Sequence, residues 1–534
     1  MPRKHPLLFS LITLMALLAS TEVKGSVASR QEHKALPRVV VQILVDQLRA
    51  DHLESFAPLY GEGGLRLLLR EGRLYSRGAL PMARADRASA AATLSTGSTP
   101  SQHGIVAWQW LNRETLRPML AIDDRGVKGL ATVEQYSPRW LAVSTLGDEL
   151  KLATQGRAKV VSIAAQADAA ILTAGHAADE VVWIDRASGQ WSSSSYYGRL
   201  PQWADQSNVY APLERRLAST TWTPLYLPLA GTPYTDGLGE KQVFSHSFKG
   251  ATRYEDFATS GLINEEIANA ASAAISSSEL GNDFTPDLLT LTLYAGTPQH
   301  RPAATCGHEL QDTYTRLDRA VAQIIAATQA KVGVGNALFA LTSTGYSIEE
   351  EEDERLARYR VPTGQFDLRR NVSLLGMYLV ATYGQGNYIE TTHGTDIYLN
   401  HRLLTERQLS LTEVQARVQE FLRQLSGVQA VHTGSDLLQG AWSPERDKLR
   451  AGYFHGRSAD IRIELQPGWK CIDTGTRSTT TAREAFAAFP IVLYGSDVER
   501  GLVTTPVTLD RIAPTLSRAI RIRAPNACHV SPLP

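Results

Sequence analysis

Three residues of this chain have types that could do chemistry. Asp46 follows the apolar run Arg38 to Val45 and could act as a general base, and Arg87 and Arg301 could bind an oxyanion bidentately. Asp86 precedes Arg87 and could cap a helix that starts there, offsetting the unfavourable meeting of a cation with the helix N-terminus. After that helix comes Thr96-Gly97-Ser98-Thr99-Pro100-Ser101-Gln102-His103-Gly104, a turn in which His103 reads as a hydrogen-bonded structural histidine.

The elements that must position these residues are runs of Val, Ile and Leu alternating with helical stretches, the pattern of buried parallel strands joined by crossover helices. Strands are predicted at Arg38 to Val45, Lys159 to Ala164, Leu288 to Leu293, Ala337 to Leu341 and Pro490 to Tyr494, and helices at Asp312 to Ala327 and Glu413 to Leu425. The fold class is α/β, a doubly wound, mostly parallel sheet with helices on both faces. Two regions break the rhythm. Residues 191–249, rich in Ser, Trp, Tyr, Pro and Gly, suggest an irregular cap; Ser192 to Ser195, Tyr196, Tyr197, Trp222, Tyr226 and Tyr234 there read as packed aromatics on a flexible cover, or as a carbohydrate surface. Residues 361–466 read as an inserted α+β subdomain and the chain's interaction surface, dividing a core of residues 37–360 and 467–534.

With 534 residues, 43% hydrophobic and 20% charged, the chain is long enough for two or three structural units. Lys plus Arg and Asp plus Glu balance at 54 each, so no global field draws it to nucleic acid. Arg3, Lys4 and His5, the apolar run Leu7 to Ala19 and small residues near Ser26 have the order of a secretory signal peptide, residues 1–25. The expectation is an exported bacterial protein of the periplasm or cell envelope, without a membrane span after cleavage. Cys306, Cys471 and Cys528 leave one thiol over, and Cys471 with Cys528 is the pairing to test. The acidic run Glu349 to Glu354 reads as a solvated face.

Val45-Asp46-Gln47-Leu48-Arg49, Tyr60-Gly61-Glu62-Gly63-Gly64-Leu65, the Ser95 to Ile105 stretch, and Asp312-Thr313-Tyr314 with Arg316-Leu317-Asp318 together resemble the alkaline phosphatase superfamily. Ala174-Gly175-His176, Ile397-Tyr398-Leu399-Asn400, Pro467-Gly468-Trp469 and Tyr494-Gly495 follow in the same order, so the resemblance covers about Pro37 to Leu533. Within the superfamily the chain is similar to bacterial periplasmic phosphate-irrepressible phosphatases and their type I phosphodiesterase/nucleotide pyrophosphatase relatives.

The resemblance implies two zinc ions about 4 Å apart and a Thr or Ser nucleophile opening a helix. Asp46 matches a carboxylate ligand. The nucleophile position, nine residues before Thr96, holds Arg87, and Ser89 lies two residues out of register. Where an Asp and a His ligand are implied stand Thr297 and Arg301, with His300 one place off; where an Asp-His pair is implied stand Thr344 and Gly345. The last implied His falls in Asp473 to Thr480, which has none, and His393 lies inside the insertion. Substrate-contacting Asn, Lys and Arg are replaced by Trp108, Gln166 and Asp168.

One carboxylate does not make a zinc site, since even open catalytic sites use three protein ligands. The expectation is a catalytically inactive relative with no cofactor, a binding or assembly component of the cell envelope whose partner is an unknown envelope protein or an anionic small ligand bound without hydrolysis. In one arrangement Arg87 pairs with Asp46 or Asp168 and Trp108 fills the vacated volume; in the other, Arg87 and Arg301 form an anion site. The alternative is an active phosphomonoesterase or phosphodiesterase with a rebuilt metal site, and a third reading is metal-free chemistry with Asp46 as the base.

Overall fold

The computed structural model describes residues 36–226, 231–237, 239–346, 359–473, 478–481 and 488–534. The predicted signal peptide, the acidic run Glu349 to Glu354 and residues 474–477 of the last ligand segment lie outside the described residues.

The central sheet contains β1 (Val39–Asp46), β2 (Arg73–Ala79), β3 (Val160–Ile163), β4 (Glu180–Ile184), β5 (Asp287–Tyr294), β6 (Ala337–Ser343) and β7 (Phe489–Gly495), in the spatial order β2-β7-β6-β1-β5-β3-β4. From β6 across to β4 every pairing is parallel, whereas β7 runs antiparallel to both β6 and β2, so the sheet is mixed towards that edge. All eight residues of β1 are buried, as a strand covered on both faces requires. Its alternation sends Val39, Val41, Ile43 and Val45 into one core and Val40 and Leu44 into the other.

The helices that cover the Val40 face include α1 (Arg87–Thr96), α2 (Leu146–Ala153) and α3 (Ala167–Ala174); α4 (Leu262–Ser277) and α5 (Gly307–Val332) cover the opposite face. In α1 every residue from Ala88 to Thr96 is buried, and its small side chains let the helix lie close to its neighbours. Asp86 caps it: Asp86 Oδ1 accepts from Ser89 N at 2.9 Å, and Ser89 Oγ accepts from Asp86 N at 2.9 Å.

In the segment read as a cap, Trp191–Ser194 joins the main sheet beside β4, and Trp191, Trp203, Trp222, Phe244 and Phe248 are buried in the core. The inserted block has its own core, which includes Phe366, Leu375, Val418, Ile461 and Cys471. It continues beyond residue 466, because Trp469–Asp473 pairs in parallel with Gly364–Asp367. None of the three cysteines forms a disulfide among the described residues: Cys471 belongs to the insertion's core, whereas Cys528 packs against Gly97 at the end of α1, so the pairing considered for them is not formed.

Arg457 fastens the insertion to the Thr96–Gly104 turn. Its Nη1 donates to the carbonyls of Gly104 and Trp140, both at 2.7 Å, and its guanidinium lies against the rings of Trp110, Trp140 and Phe454. Gly104, at φ 80°, must be glycine twice over, since a Cβ would also stand 2.3 Å from Arg457 Nη1. Beside it His103 is fully buried; Nδ1 accepts from Ile105 N at 3.1 Å, which leaves the proton on Nε2 to meet Thr93 Oγ1 at 3.1 Å. Burial, with Arg457 adding to it, pushes the His103 pKa down to about 3.

Arg457→Met would strand two carbonyl acceptors and is expected to destabilise the protein by about 2–4 kcal/mol, read as a lowered thermal midpoint. The folded protein keeps His103 neutral down to about pH 3, while the unfolded chain takes up that proton near its ordinary value of 6.5. The unfolded state therefore binds more protons within that window, and stability should fall as the pH drops through it, by at most about 1.4 kcal/mol per pH unit from this group. A His103→Gln variant should show a correspondingly shallower pH slope of thermal stability.

Candidate functional site

The residues singled out for chemistry gather at the carboxyl ends of the parallel strands, where open α/β sheets form their crevices. Asp46 ends β1 and is 2% exposed. Thr344 follows the parallel neighbour β6; its Oγ1 donates to Asp46 Oδ1 at 3.1 Å and accepts from Gln47 N at 2.9 Å. On the other side β5 ends level with Asp46, and Ala295 N donates to the Asp46 carbonyl at 2.9 Å.

Arg87 enters this site from the first position of α1. Its Nε and Nη2 meet the two oxygens of Asp168 at 3.0 and 3.1 Å, a bidentate fork, and its Nη1 lies 3.5 Å from Asp46 Oδ2. The Arg87 side chain is 18% exposed, so burial works against its charge; Asp168 and Asp46 outweigh that and hold the guanidinium protonated well above its ordinary pKa. Tyr346, 7% exposed, shares a hydrogen bond with Asp46, and burial together with that carboxylate pushes its phenol pKa well up. Asp46 is thus surrounded by a hydroxyl, a phenol and a guanidinium.

The remaining candidates are dispersed. Trp108 does not fill vacated volume: 47% of its surface is exposed, and only its backbone N reaches Asp86. Arg301 does not join Arg87 in an anion site; its Nη2 donates to the Thr305 carbonyl at 3.1 Å within its own loop. Gln166 is the half-buried residue before α3 and makes no capping bond. Thr297 is fully buried, with an Oγ1 that has no hydrogen-bond partner among the described residues. Gly345, at φ 75°, leaves no room for a side chain, because a Cβ would lie 2.7 Å from the Phe489 ring. His300 sits exposed on the rim, where Asp46 and Arg87 both act on it electrostatically; it and Gln299 hold left-handed backbone, φ 55° and 52°. Ser89 is committed to capping α1, and His393 lies in the insertion's hairpin opposite Asp396.

Residues 40–485 match the family described as type I phosphodiesterase / nucleotide pyrophosphatase. The chain belongs to this family. It is therefore a member of the alkaline phosphatase superfamily, with the mixed α/β sheet of that fold. Over 98% of both chains it is 29% identical to a Myroides odoratus protein named calcium-transporting ATPase. It is 28% identical to alkaline phosphatase PafA of Elizabethkingia meningoseptica, covering 97% of this chain and 98% of that protein. The crystal structure of wild-type PafA superimposes with a TM-score of 0.78 at 26% identity, covering 93% of this chain and 98% of the other.

The zinc pair implied for the family can be tested against the donors on hand. Among the described residues no group of three or more His, Cys, Asp or Glu side chains could hold a metal ion. The one matching carboxylate, Asp46, already accepts from Thr344 and Arg87 and shares a hydrogen bond with Tyr346. Thr297, Arg301 and Gly345 offer no carboxylate or imidazole, so the described residues do not fit two zinc ions. Tyr346 is the site residue that the sequence reading passed over; its signal was an aromatic two places beyond Thr344, in the turn that follows a buried strand.

Arg87→Met would leave Asp46 and Asp168 facing each other without a cation and is expected to cost about 3–5 kcal/mol. Adding Asp168→Asn should recover part of that loss, so a double-mutant cycle on thermal stability should return a clear coupling between the two side chains. Additive effects would contradict the pairing.

Proposed function

We propose that this chain is a non-hydrolysing member of its family, working without the zinc pair as an exported binding or assembly component of the bacterial cell envelope. The observation that carries the reading is Arg87 at the nucleophile position, with its fork closed on Asp168 and its third nitrogen turned to Asp46. A guanidinium has no nucleophilic lone pair, and this one has its charge answered from within the protein. That arrangement also argues against the anion-binding variant: the donors that would grip a phosphate or sulfate are engaged, and Arg301 is bonded elsewhere. Partner binding is the activity that remains. Export is supported by the signal-like order of Arg3 to Ser26 in the sequence. Among the described residues no helix is long and apolar enough to cross a membrane.

The competing reading is an active phosphoric ester hydrolase, favoured by the relatives named alkaline phosphatase, which align over nearly the whole chain. The two readings separate in one assay of the purified protein, with an aryl phosphate monoester and diester in added Zn²⁺ and bound metal measured alongside. No turnover above the blank is expected. Turnover abolished both by chelator and by Asp46→Ala would overturn the proposal. Envelope crosslinking should return the same partner repeatedly, and calorimetric titration with inorganic phosphate or sulfate should give no heat.

A further inference from the structure

At the opposite pole of the sheet from Asp46, the parallel strands begin side by side: Val39 pairs with Asp287 and with Ala337, and Leu288 pairs with Val160. The segments that lead into them therefore share one surface. A cavity of about 510 Å³ opens there, lined by Leu36, Leu150, Phe284, Arg157, Ile520 and Ile522 among others. Leu150 and Ile520 are buried where they line it, Thr154, Arg157, Asp283 and Arg521 give the lining a polar share, and Phe284 stands 82% exposed with the Arg38 guanidinium 4.6 Å above its ring. Two more large apolar side chains project from neighbouring segments: Val334, 81% exposed between two glycines of positive φ at the turn into β6, and Leu152, 64% exposed near the end of α2. Each is unremarkable singly, but all three project from segments at the pole where the parallel strands begin, and Phe284 also lines the cavity.

The charges on this surface decide what the patch fits. Arg38 and Arg157, with Lys331 at the end of α5, form no ion pair with a carboxylate among the described residues. Lys159 is paired with Glu279 at 3.3 Å, and Asp283 is the acidic residue on the cavity lining. Exposed apolar side chains interleaved with unneutralised Arg and Lys match an anionic bilayer surface, where apolar tips enter the headgroup boundary and basic groups meet lipid phosphates.

We propose that this pole is a peripheral docking surface for an anionic membrane, with Phe284, Val334 and Leu152 as the inserting groups and Arg38, Arg157 and Lys331 as the electrostatic contacts. This inference goes beyond the proposed function and does not depend on whether the Asp46 site hydrolyses esters.

The test is flotation of the purified exported chain with vesicles of phosphatidylcholine, with or without phosphatidylglycerol. The comparison includes Phe284→Ser/Val334→Ser and Arg157→Gln/Lys331→Gln, which share the wild-type N-terminus and alter exposed or half-exposed positions. Wild type should partition to the anionic vesicles about tenfold better than to neutral ones, and lose that preference at high salt. Each double variant should bind at least about fivefold more weakly with an unchanged thermal midpoint. Absence of flotation, or variants that float like wild type, would overturn the proposal. So would a concentration-dependent dimer that Phe284→Ser/Val334→Ser dissolves without any vesicle binding, because the patch would then belong to a second copy of the chain.

Discussion

A single guanidinium between two carboxylates sets the state of the whole crevice. Asp46 lies at the end of a strand buried along its whole length, Asp168 in the first turn of a neighbouring helix and Arg87 at the start of another, so one side chain ties three elements together. Placing a cation at a helix N-terminus costs about 0.3–1 kcal/mol against the macrodipole. Hydrogen bonds to charged groups contribute about 1.5–3 kcal/mol each, so the fork on Asp168 alone exceeds that cost. The two carboxylates still outnumber the cation, and the difference is met by neutral donors: Thr344 and Tyr346 on Asp46, and the backbone N of Ala169 on Asp168.

The same helix is held at its far end by a different device. Past the turn that closes α1, the insertion reaches back through Arg457, which meets two carbonyls and three aromatic rings and has no anionic partner among the described residues. Helix α1 is therefore fixed by an ion cluster at one end and by a caged arginine and a neutral buried histidine beyond the other. Neither end is free to shift Arg87 without breaking charge-assisted bonds.

The sheet was legible in the sequence because fully buried parallel strands must be nearly continuous Val, Ile and Leu, and all five predicted strands lie in the main sheet. Asp46, Arg87, Asp168 and Thr344 were legible because each sits immediately beside a strand or helix end, where position along the chain fixes position in space. Trp108, Arg301 and the cysteines were not, because they lie in loops or separate cores where side-chain direction follows local packing. Arg301 illustrates the limit: a left-handed pair at Gln299 and His300 turns the chain just before it, and no pattern of residue types announced that turn.

Likeness to PafA across 93% of the chain and the retained sheet speak to the frame, and a frame of buried aliphatic strands is maintained by packing whatever chemistry its crevice performs. What distinguishes chemistries is confined to the few side chains around Asp46. There Arg87 bears directly on whether a metal pair could bind: ions on Asp46 would have to displace the Thr344 and Tyr346 donors and set further positive charge beside a guanidinium that is only 18% exposed. At a separation near 4 Å and an effective dielectric of about 20, two unit charges repel by about 4 kcal/mol, and a dication beside a guanidinium by about twice that. Unless Arg87 left its fork and gave up the Asp168 bonds, that repulsion would stand uncompensated, so occupancy by zinc requires a different rotamer of this one residue and a different fate for both carboxylates.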